Sequence, residues 1–233
     1  MKITQVTPNS IQLTRLAFVN CYLVRESDGL TLVDTGLPGS ANDILAAARA
    51  LAAPIRRILL THAHMDHVGS VDALIAKLKA SETELVSSPR SLPLLQKPPD
   101  KSHLPGESTE KIKGTYQGID NVPNRLITEG ELCGSLRCIE TPGHSPGHLA
   151  FLDERDATLY AGDALVGKGY LSVSGYAPWF FPLPNGGTWS RSTALARAKK
   201  LLTFPIERFA CGHGAVKPGG IHTLRAAIAK ATS

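Results

Sequence analysis

The chain has 233 residues, of which 42% are hydrophobic and 19% are charged. This apolar content supports a full core, while no apolar run approaches the length of a membrane-spanning helix, so no membrane partner is expected. The formal net charge of +5 could attract an anionic partner, but aromatic residues are not interleaved with the basic ones, which argues against nucleic acid as the partner.

The predicted elements begin with a meander of strands and continue as mixed strands and helices. Four strands are predicted at 3–6, 11–16, 20–24 and 30–33. A helix at 41–51, a buried strand at 55–60, a helix at 68–78 and a strand at 84–87 follow. A second sheet is predicted from 126–127, 136–140, 149–153 and 158–161, and the chain ends with a helix at 190–202, a strand at 208–211 and a helix at 220–231. This order fits a two-sheet sandwich with flanking helices, and since no linker divides the chain we expect one domain over residues 1–233.

Residues 61–67, Thr-His-Ala-His-Met-Asp-His, carry the strongest chemical signal in the chain. Three imidazoles and one carboxylate follow directly on the apolar strand predicted at 55–60. Borderline metals such as zinc prefer imidazole nitrogen and carboxylate oxygen. The segment therefore predicts a metal site at the end of a strand.

Four further polar residues stand in similar places. Asp34, His144, Asp163 and His213 each follow an apolar or β-branched run and lie beside or close to glycine. A strand makes such a position rigid, and glycine lets the backbone turn sharply after it. His148, four residues after His144, is expected to be a hydrogen-bonding histidine rather than a ligand.

The motif His-x-His-x-Asp-His, followed by these outlying sites in order, resembles the metallo-β-lactamase-fold hydrolases. The resemblance implies an α/β fold, a four-layer αβ/βα sandwich of two mixed β-sheets flanked by helices, with a dinuclear metal site between the sheets. It assigns His62, His64 and His144 to one ion, and Asp66, His67 and His213 to the other. Asp163 would bridge the two ions, and Asp34 would orient a ligand histidine.

Such a site predicts a hydrolase in which a metal-bridging hydroxide attacks a small-molecule ester, thioester or lactone. Two divalent ions are expected, with zinc favoured and iron or manganese left open. Asp66 and Asp34 are the candidate catalytic carboxylates. Weak side activity on β-lactams or phosphoesters is compatible with this promiscuous chemistry.

Departures from named members of the family favour a glyoxalase II or lactonase-like branch over a β-lactamase. Asp163 at the bridging position and the absence of a signal peptide argue against a secreted β-lactamase, so a cytoplasmic location is expected. Only twenty residues follow His213, where classical glyoxalase II carries a long helical extension, which argues against the classical glyoxalase II itself. Val166 stands where the lactonases place a tyrosine, although Tyr170 or Tyr176 could substitute for it spatially. No basic arm like that of ribonuclease Z is evident.

Two other functions stay open at this point. A ribonuclease Z-like phosphodiesterase would use the same ligands. A mononuclear iron oxidoreductase of the persulfide dioxygenase type would use only part of the ligand set, and metal analysis would distinguish it.

Two irregular stretches, 88–124 and 164–189, are expected to set specificity. The second is rich in aromatic residues, which could form an apolar wall for a small-molecule substrate or a homodimer interface. The candidate substrate-binding residues there are Tyr170, Tyr176, Trp179, Phe180 and Phe181.

Overall fold

A computed structural model describes residues 1–78 and 82–232, which form two compact units. The N-terminal unit contains the described residues of 1–100 together with 116–127. The C-terminal unit contains 101–115 and the described residues from 128 onwards. The expectation of a single domain stays a prediction.

The N-terminal unit is built on a mixed sheet whose seven described strands lie in chain order. The strands are β1 Lys2–Thr7, β2 Ser10–Arg15, β3 Val19–Glu26, β4 Gly29–Val33, β5 Ile55–Leu59, β6 Glu84–Ser87 and β7 Arg125–Leu126. The first four pair antiparallel, as a meander with short turns requires, and β4 to β7 pair parallel. Every residue of β4 is buried, in keeping with the apolar character of strands inside a parallel sheet.

The described helices of this unit are short apart from the first. They are α1 Ala41–Ala50, α2 Met65–Val68, α3 Val71–Ile75 and α4 Leu92–Leu95, with a 3-10 turn at Pro89–Ser91. Helix α1 buries Ala41, Ile44, Ala47 and Ala48, which recur on one helical face.

The prediction of a single helix at 68–78 is wrong, because the helix is interrupted at Gly69, which separates α2 from α3. The Gly69 N–H donates a hydrogen bond of 3.0 Å to the Gly36 carbonyl, and the Ser70 N–H donates one of 3.2 Å to Thr35 Oγ1. A side chain on Gly69 would collide with Pro38, so only glycine fits there. As a result Asp66 and His67 lie inside α2 instead of ahead of a longer helix.

The C-terminal unit is built on a second mixed sheet of six described strands, in the order β15-β14-β11-β10-β9-β8. Their bounds are β8 Leu132–Cys133, β9 Leu136–Glu140, β10 Leu149–Asp153, β11 Thr158–Gly162, β14 Arg208–Cys211 and β15 Lys217–Pro218. A two-stranded ribbon joins β12 Leu165–Val166 to β13 Ser172–Val173. The described helices are α5 Leu183–Gly187, α6 Arg191–Lys200 and α7 Gly220–Thr232, and a 3-10 turn follows α6 at Leu201–Thr203. The prediction of two mixed sheets with helices is thereby confirmed.

Residues 126–127 were expected in the second sheet, and this expectation is wrong. Arg125 and Leu126 pair with Val86 and Ser87 of β6, in the first sheet. A strand of two residues has no alternation from which its partner could be inferred, so only the long-range pairing decides its sheet.

The core of the C-terminal unit lies where α6 and α7 pack on the sheet. Ala194 and Ala198 of α6 and Leu224 of α7 are buried in one cluster with Leu159 and Phe209 of the strands. Because alanine has a small side chain, Ala194 and Ala198 let α6 pack closely against this cluster. Across the described residues, no helix is both long and apolar enough to cross a membrane.

Candidate metal centre

Parallel strand ends bring the first group of donor residues together. Strands β4 and β5 are parallel neighbours with Val33 opposite Leu59, so the residues that follow each strand meet at one sheet edge. Asp34 follows β4, and its N–H donates a hydrogen bond of 2.9 Å to the Leu59 carbonyl. Thr61 and the histidines after it begin at the same edge.

The Asp34 carboxylate is buried and accepts three hydrogen bonds. Its Oδ1 accepts from the Thr61 N–H at 2.8 Å, and its Oδ2 accepts from Thr61 Oγ1 at 2.8 Å and from His67 Nδ1 at 2.7 Å. Since a carboxylate only accepts, His67 carries its proton on Nδ1 and keeps the Nε2 lone pair for a metal ion. Asp34 adopts a positive φ of 59°, a region that Asp tolerates better than most residues.

Thr61 extends the influence of Asp34 to His62. Its hydroxyl proton is used on Asp34, so the same oxygen accepts from His62 Nδ1 at 3.0 Å. His62 is thereby held in the tautomer that leaves Nε2 available, and this atom lies 3.0 Å from His64 Nδ1. These two ring nitrogens, His62 Nε2 and His64 Nδ1, are therefore close enough to bind one metal ion.

Asp66 and His67 form a second pair of donors in the same unit. Asp66 Oδ2 lies 3.9 Å from His67 Nε2. The His67 backbone is also held, since its carbonyl accepts from Thr35 N at 2.7 Å and from Thr35 Oγ1 at 2.9 Å. The Asp66 side chain is 29% exposed, whereas that of His67 is fully buried.

The C-terminal unit assembles its donors by the same rule. Strands β11 and β14 are parallel neighbours with Gly162 opposite Cys211, and Asp163 and His213 follow their ends. Asp163 Oδ2 lies 3.1 Å from His213 Nε2 and 3.5 Å from His144 Nε2. These three side chains are buried, and one carboxylate oxygen faces two imidazole nitrogens.

His148 has the hydrogen-bonding place expected of it. Its Nε2 accepts from the Asp163 N–H at 3.0 Å, so its Nδ1 carries the proton and donates to Thr141 Oγ1 at 2.8 Å. One ring nitrogen therefore holds the backbone of Asp163, and the other anchors the ring to Thr141.

Comparison with known proteins agrees with this pattern of donors. The family model described as Metallo-beta-lactamase superfamily matches residues 14–213. The chain belongs to the metallo-β-lactamase superfamily. It is 42% identical over 214 residues to "Uncharacterized protein YobT" of Bacillus subtilis (strain 168), covering 91% of this chain and 90% of that protein.

Other relatives of the superfamily carry names that mention an activity. The chain is 29% identical over 154 residues to "Hydroxyacylglutathione hydrolase" of Shewanella sp. (strain ANA-3), of which it spans about half, 51%. Among solved structures it is similar to TTHA1623 in a di-iron-bound form, with 31% identity, 89% of this chain and 92% of that chain covered, and a TM-score of 0.64. It is also similar to the BLEG-1 B3 metallo-beta-lactamase, with 25% identity, coverage of 90% and 93%, and a TM-score of 0.68.

The donor atoms of this superfamily member suit divalent metal ions. In His62, His67 and His144 the Nδ1 atom faces a protein oxygen and Nε2 is directed toward other donors. Imidazole nitrogen and carboxylate oxygen are ligands of zinc, iron and manganese alike, so the donor set does not choose the metal.

The aromatic residues proposed from the sequence lie in different surroundings. Phe181 is 7% exposed and its ring centroid lies 5.7 Å from that of His213. Trp179 and Phe180 are 88% and 50% exposed. Tyr170 lies under Lys230 Nζ at 3.7 Å, and Tyr176 lies under the Arg191 guanidinium at 5.8 Å.

Tyr116 was missed by the sequence reasoning. Its half-buried ring lies edge-on to His64 with 4.6 Å between centroids. The segment 88–124 is irregular, and no local pattern in its sequence distinguishes this tyrosine from others. Thr61 belongs to the histidine motif, but nothing in the sequence indicates that its hydroxyl links Asp34 to His62.

Asp72 of α3 holds the segment that follows Tyr116. Its carboxylate accepts from the N–H groups of Asp120 and Asn121 at 3.0 and 3.1 Å and from Asn121 Nδ2 at 2.8 Å. Burial alone raises the pKa of the Asp72 carboxyl, but these hydrogen bonds and the Lys97 ammonium outweigh it, so the pKa lies below its usual value.

Two buried cysteines stand near the candidate ligands as neutral thiols. Burial strongly raises the pKa of the Cys21 thiol, and the neighbouring Asp34 charge raises it further. Burial also raises the pKa of the Cys211 thiol, with Asp163 adding to the effect and Lys217 opposing it. Since the thiolate is the nucleophilic form, neither cysteine is suited to covalent catalysis.

Proposed function

We propose that the chain is a dinuclear metal-dependent hydrolase of a small-molecule ester, thioester or lactone. The observation that carries the proposal is the shared orientation of His62, His67 and His144. Each has Nδ1 against a protein oxygen, which leaves Nε2 for a metal ion. Membership of the superfamily and the name of the Shewanella relative support hydrolysis as the reaction class.

In this proposal the two donor groups belong to one centre. His62, His64 and His144 would hold one ion, Asp66, His67 and His213 would hold the other, and Asp163 would be shared. Bound zinc ions would supply Lewis acidity and lower the pKa of a water molecule toward neutrality. Iron and manganese are alternatives, and a di-iron form of a similar structure supports keeping iron among them.

The side chains of the protein would keep the ligands in place and handle protons. Asp34 holds the Nδ1 proton of His67 directly and that of His62 through Thr61, so neither ring can turn its proton toward the ion. Asp66 is the partly exposed carboxylate of the group, at 29%, and would accept the proton released by the attacking water and pass it to the departing alkoxide or thiolate.

Aromatic residues supply the surface against which a substrate would rest. Tyr116 lies at His64, and its phenol is a hydrogen-bond donor for a carbonyl oxygen. Phe181 lies at His213. The exposed Trp179 and Phe180, whose ring centroids lie 5.9 Å apart, directly precede it in the chain. Such surfaces favour substrates with an apolar acyl group. Tyr170 and Tyr176 contact the cationic groups of Lys230 and Arg191, and the Phe181 ring has Lys168 Nζ at 5.9 Å from its centroid.

The test is hydrolysis of a panel of lactones, thioesters, aryl esters, phosphodiesters and β-lactams by protein of measured metal content. We expect about two metal ions per chain and metal-dependent turnover of at least one carboxylic ester, thioester or lactone. His62→Ala and Asp163→Ala should abolish this turnover while circular dichroism stays that of the parent. His222→Ala, on the exposed face of α7, is the matched control and should leave turnover unchanged.

Full hydrolytic activity in a metal-free preparation would refute the proposal. One iron per chain together with oxidation of a persulfide would support the mononuclear oxygenase instead. Exclusive turnover of phosphodiesters would support the ribonuclease Z-like alternative.

A further inference from the structure

A buried chain of hydroxyl groups begins at the ring of His144. His144 Nδ1 lies 2.9 Å from Ser174 Oγ and 3.2 Å from Thr188 Oγ1, and the two hydroxyl oxygens lie 2.9 Å apart. Thr188 Oγ1 in turn lies 2.7 Å from the Pro184 carbonyl. Both hydroxyl residues are fully buried, so water does not compete for these bonds.

The direction of the protons follows from the last acceptor. The Pro184 carbonyl can only accept, so the Thr188 hydroxyl donates to it and its oxygen accepts from Ser174. The Ser174 oxygen then accepts from His144 Nδ1. Every proton points away from His144, and its Nε2 lone pair is left toward Asp163, 3.5 Å away.

From this we infer that Ser174 and Thr188 are positioning residues that hold His144 in its metal-binding tautomer. The inference rests on the proposed metal centre. His62 and His67 are held by a charged acceptor, Asp34, whereas the chain from His144 ends on a neutral carbonyl. The tautomer of His144 therefore depends on an acceptor being present for each hydroxyl proton in the chain.

The same chain ties the aromatic segment to the metal ligand. Pro184 lies in α5, and the neighbouring Asn185 side chain binds the N–H of Ala177 at 2.7 Å and its carbonyl at 2.9 Å. This clamp closes the stretch 177–185, which contains Trp179, Phe180 and Phe181. Thr188 therefore contacts both this segment, through the Pro184 carbonyl, and His144.

The two hydroxyls are not equivalent, which makes the inference specific. Without the Thr188 hydroxyl, Ser174 loses its acceptor and can turn its proton toward His144 Nδ1, which moves the imidazole proton to Nε2 and blocks the metal bond. Without the Ser174 hydroxyl, His144 Nδ1 can still donate to Thr188 Oγ1, which is 3.2 Å away. Thr188 therefore matters more than Ser174, although Ser174 is the closer residue.

The experiment compares Thr188→Val, which keeps the shape and loses the hydroxyl, with Thr188→Ser, which keeps the hydroxyl and loses the methyl group. Zn²⁺ affinity is measured by competition with a chromophoric chelator. Removal of such a ligand-orienting partner typically weakens metal affinity by about 10–100-fold, which we expect for Thr188→Val. Thr188→Ser should bind Zn²⁺ like the parent, and Ser174→Ala should fall between them.

Nitrogen NMR of the histidine side chains in chelator-treated protein gives a readout that needs no bound metal. The parent and Ser174→Ala should show His144 protonated on Nδ1, and Thr188→Val should show it protonated on Nε2. An Nε2–H tautomer in the parent overturns the inference even if Thr188→Val fails to fold. Equal Zn²⁺ affinity of Thr188→Val and the parent, or weak binding by Thr188→Ser as well, also overturns it.

The outcomes separate this inference from the function on which it rests. A parent protein that binds no Zn²⁺, iron or manganese refutes the proposed metal centre. A parent that binds Zn²⁺ and hydrolyses a substrate, with variants that bind equally well, refutes only the role of the hydroxyl chain.

Discussion

Replacement of Asp34 by asparagine tests how far one buried carboxylate controls the candidate ligands of its unit. Asparagine has nearly the same shape and tolerates the positive φ of 59°, so the backbone is not strained by the change. The Asp34 carboxylate accepts hydrogen bonds from Thr61 N, Thr61 Oγ1 and His67 Nδ1. The asparagine amide has only one accepting oxygen, and its other end is an NH₂ group that donates.

The magnitude follows from those three bonds. In the better orientation of the amide, its oxygen accepts from the hydroxyl and the imidazole while its NH₂ group faces the Thr61 N–H. One bond to a charged acceptor is then lost, at about 1.5–3 kcal/mol, and two others are weakened because the acceptor is no longer charged. We expect a loss of about 2–4 kcal/mol in unfolding free energy and a Zn²⁺ affinity lower by about 10–100-fold.

Urea unfolding of metal-free protein and chelator competition for Zn²⁺ measure the two effects. Asp153→Asn is the control, because Asp153 is also fully buried and accepts from Arg155 N at 3.0 Å and Nη2 at 2.7 Å. It lies at the opposite end of β10 from His148, so it should lose stability without losing Zn²⁺ affinity. The reasoning is refuted if Asp34→Asn is destabilised yet binds Zn²⁺ as tightly as the parent.

Three further changes probe the surroundings of the candidate site. Tyr116→Phe should lower kcat/KM on an ester by about 10-fold if its hydroxyl meets the substrate, whereas Tyr170→Phe should have no effect; equal kinetics of both variants would contradict this. Asp72→Asn should cost about 1 kcal/mol at pH 7 by urea unfolding. Because the pKa of folded Asp72 is lowered, the stabilisation by its carboxylate is present above the usual aspartate pKa and is lost as pH falls through the lowered value. The unfolding free energies of parent and variant should therefore become equal in acid. A difference between them that stays constant with pH would contradict this. Gly143→Ala should destabilise by at least about 1–3 kcal/mol in thermal unfolding, since its Cβ would collide with the Ala194 backbone on α6 and its φ is +146°; an unchanged melting temperature would speak against this packing.

The sequence alone was enough to predict the two sheets and the residues at their strand ends. Apolar runs such as 55–60 mark buried strands, and a polar residue beside glycine directly after such a run is a local signal. Parallel pairing then brings Asp34 to Thr61 and Asp163 to His213, because the carboxyl ends of neighbouring parallel strands share an edge. The assignment of these residues as metal ligands stays a prediction drawn from the resemblance.

Only the tertiary structure decided the features that depend on distant parts of the chain. The break at Gly69 comes from hydrogen bonds to the loop at 35–36, and the sheet that takes up Arg125–Leu126 is chosen by β6. Tyr116 reaches His64 from an irregular segment. Ser174 and Thr188 reach His144 across 30 and 44 residues of sequence. None of these contacts leaves a periodic pattern, because a hydroxyl or a phenol that meets a histidine at such a separation is placed by the packing of the whole unit and not by its own neighbours.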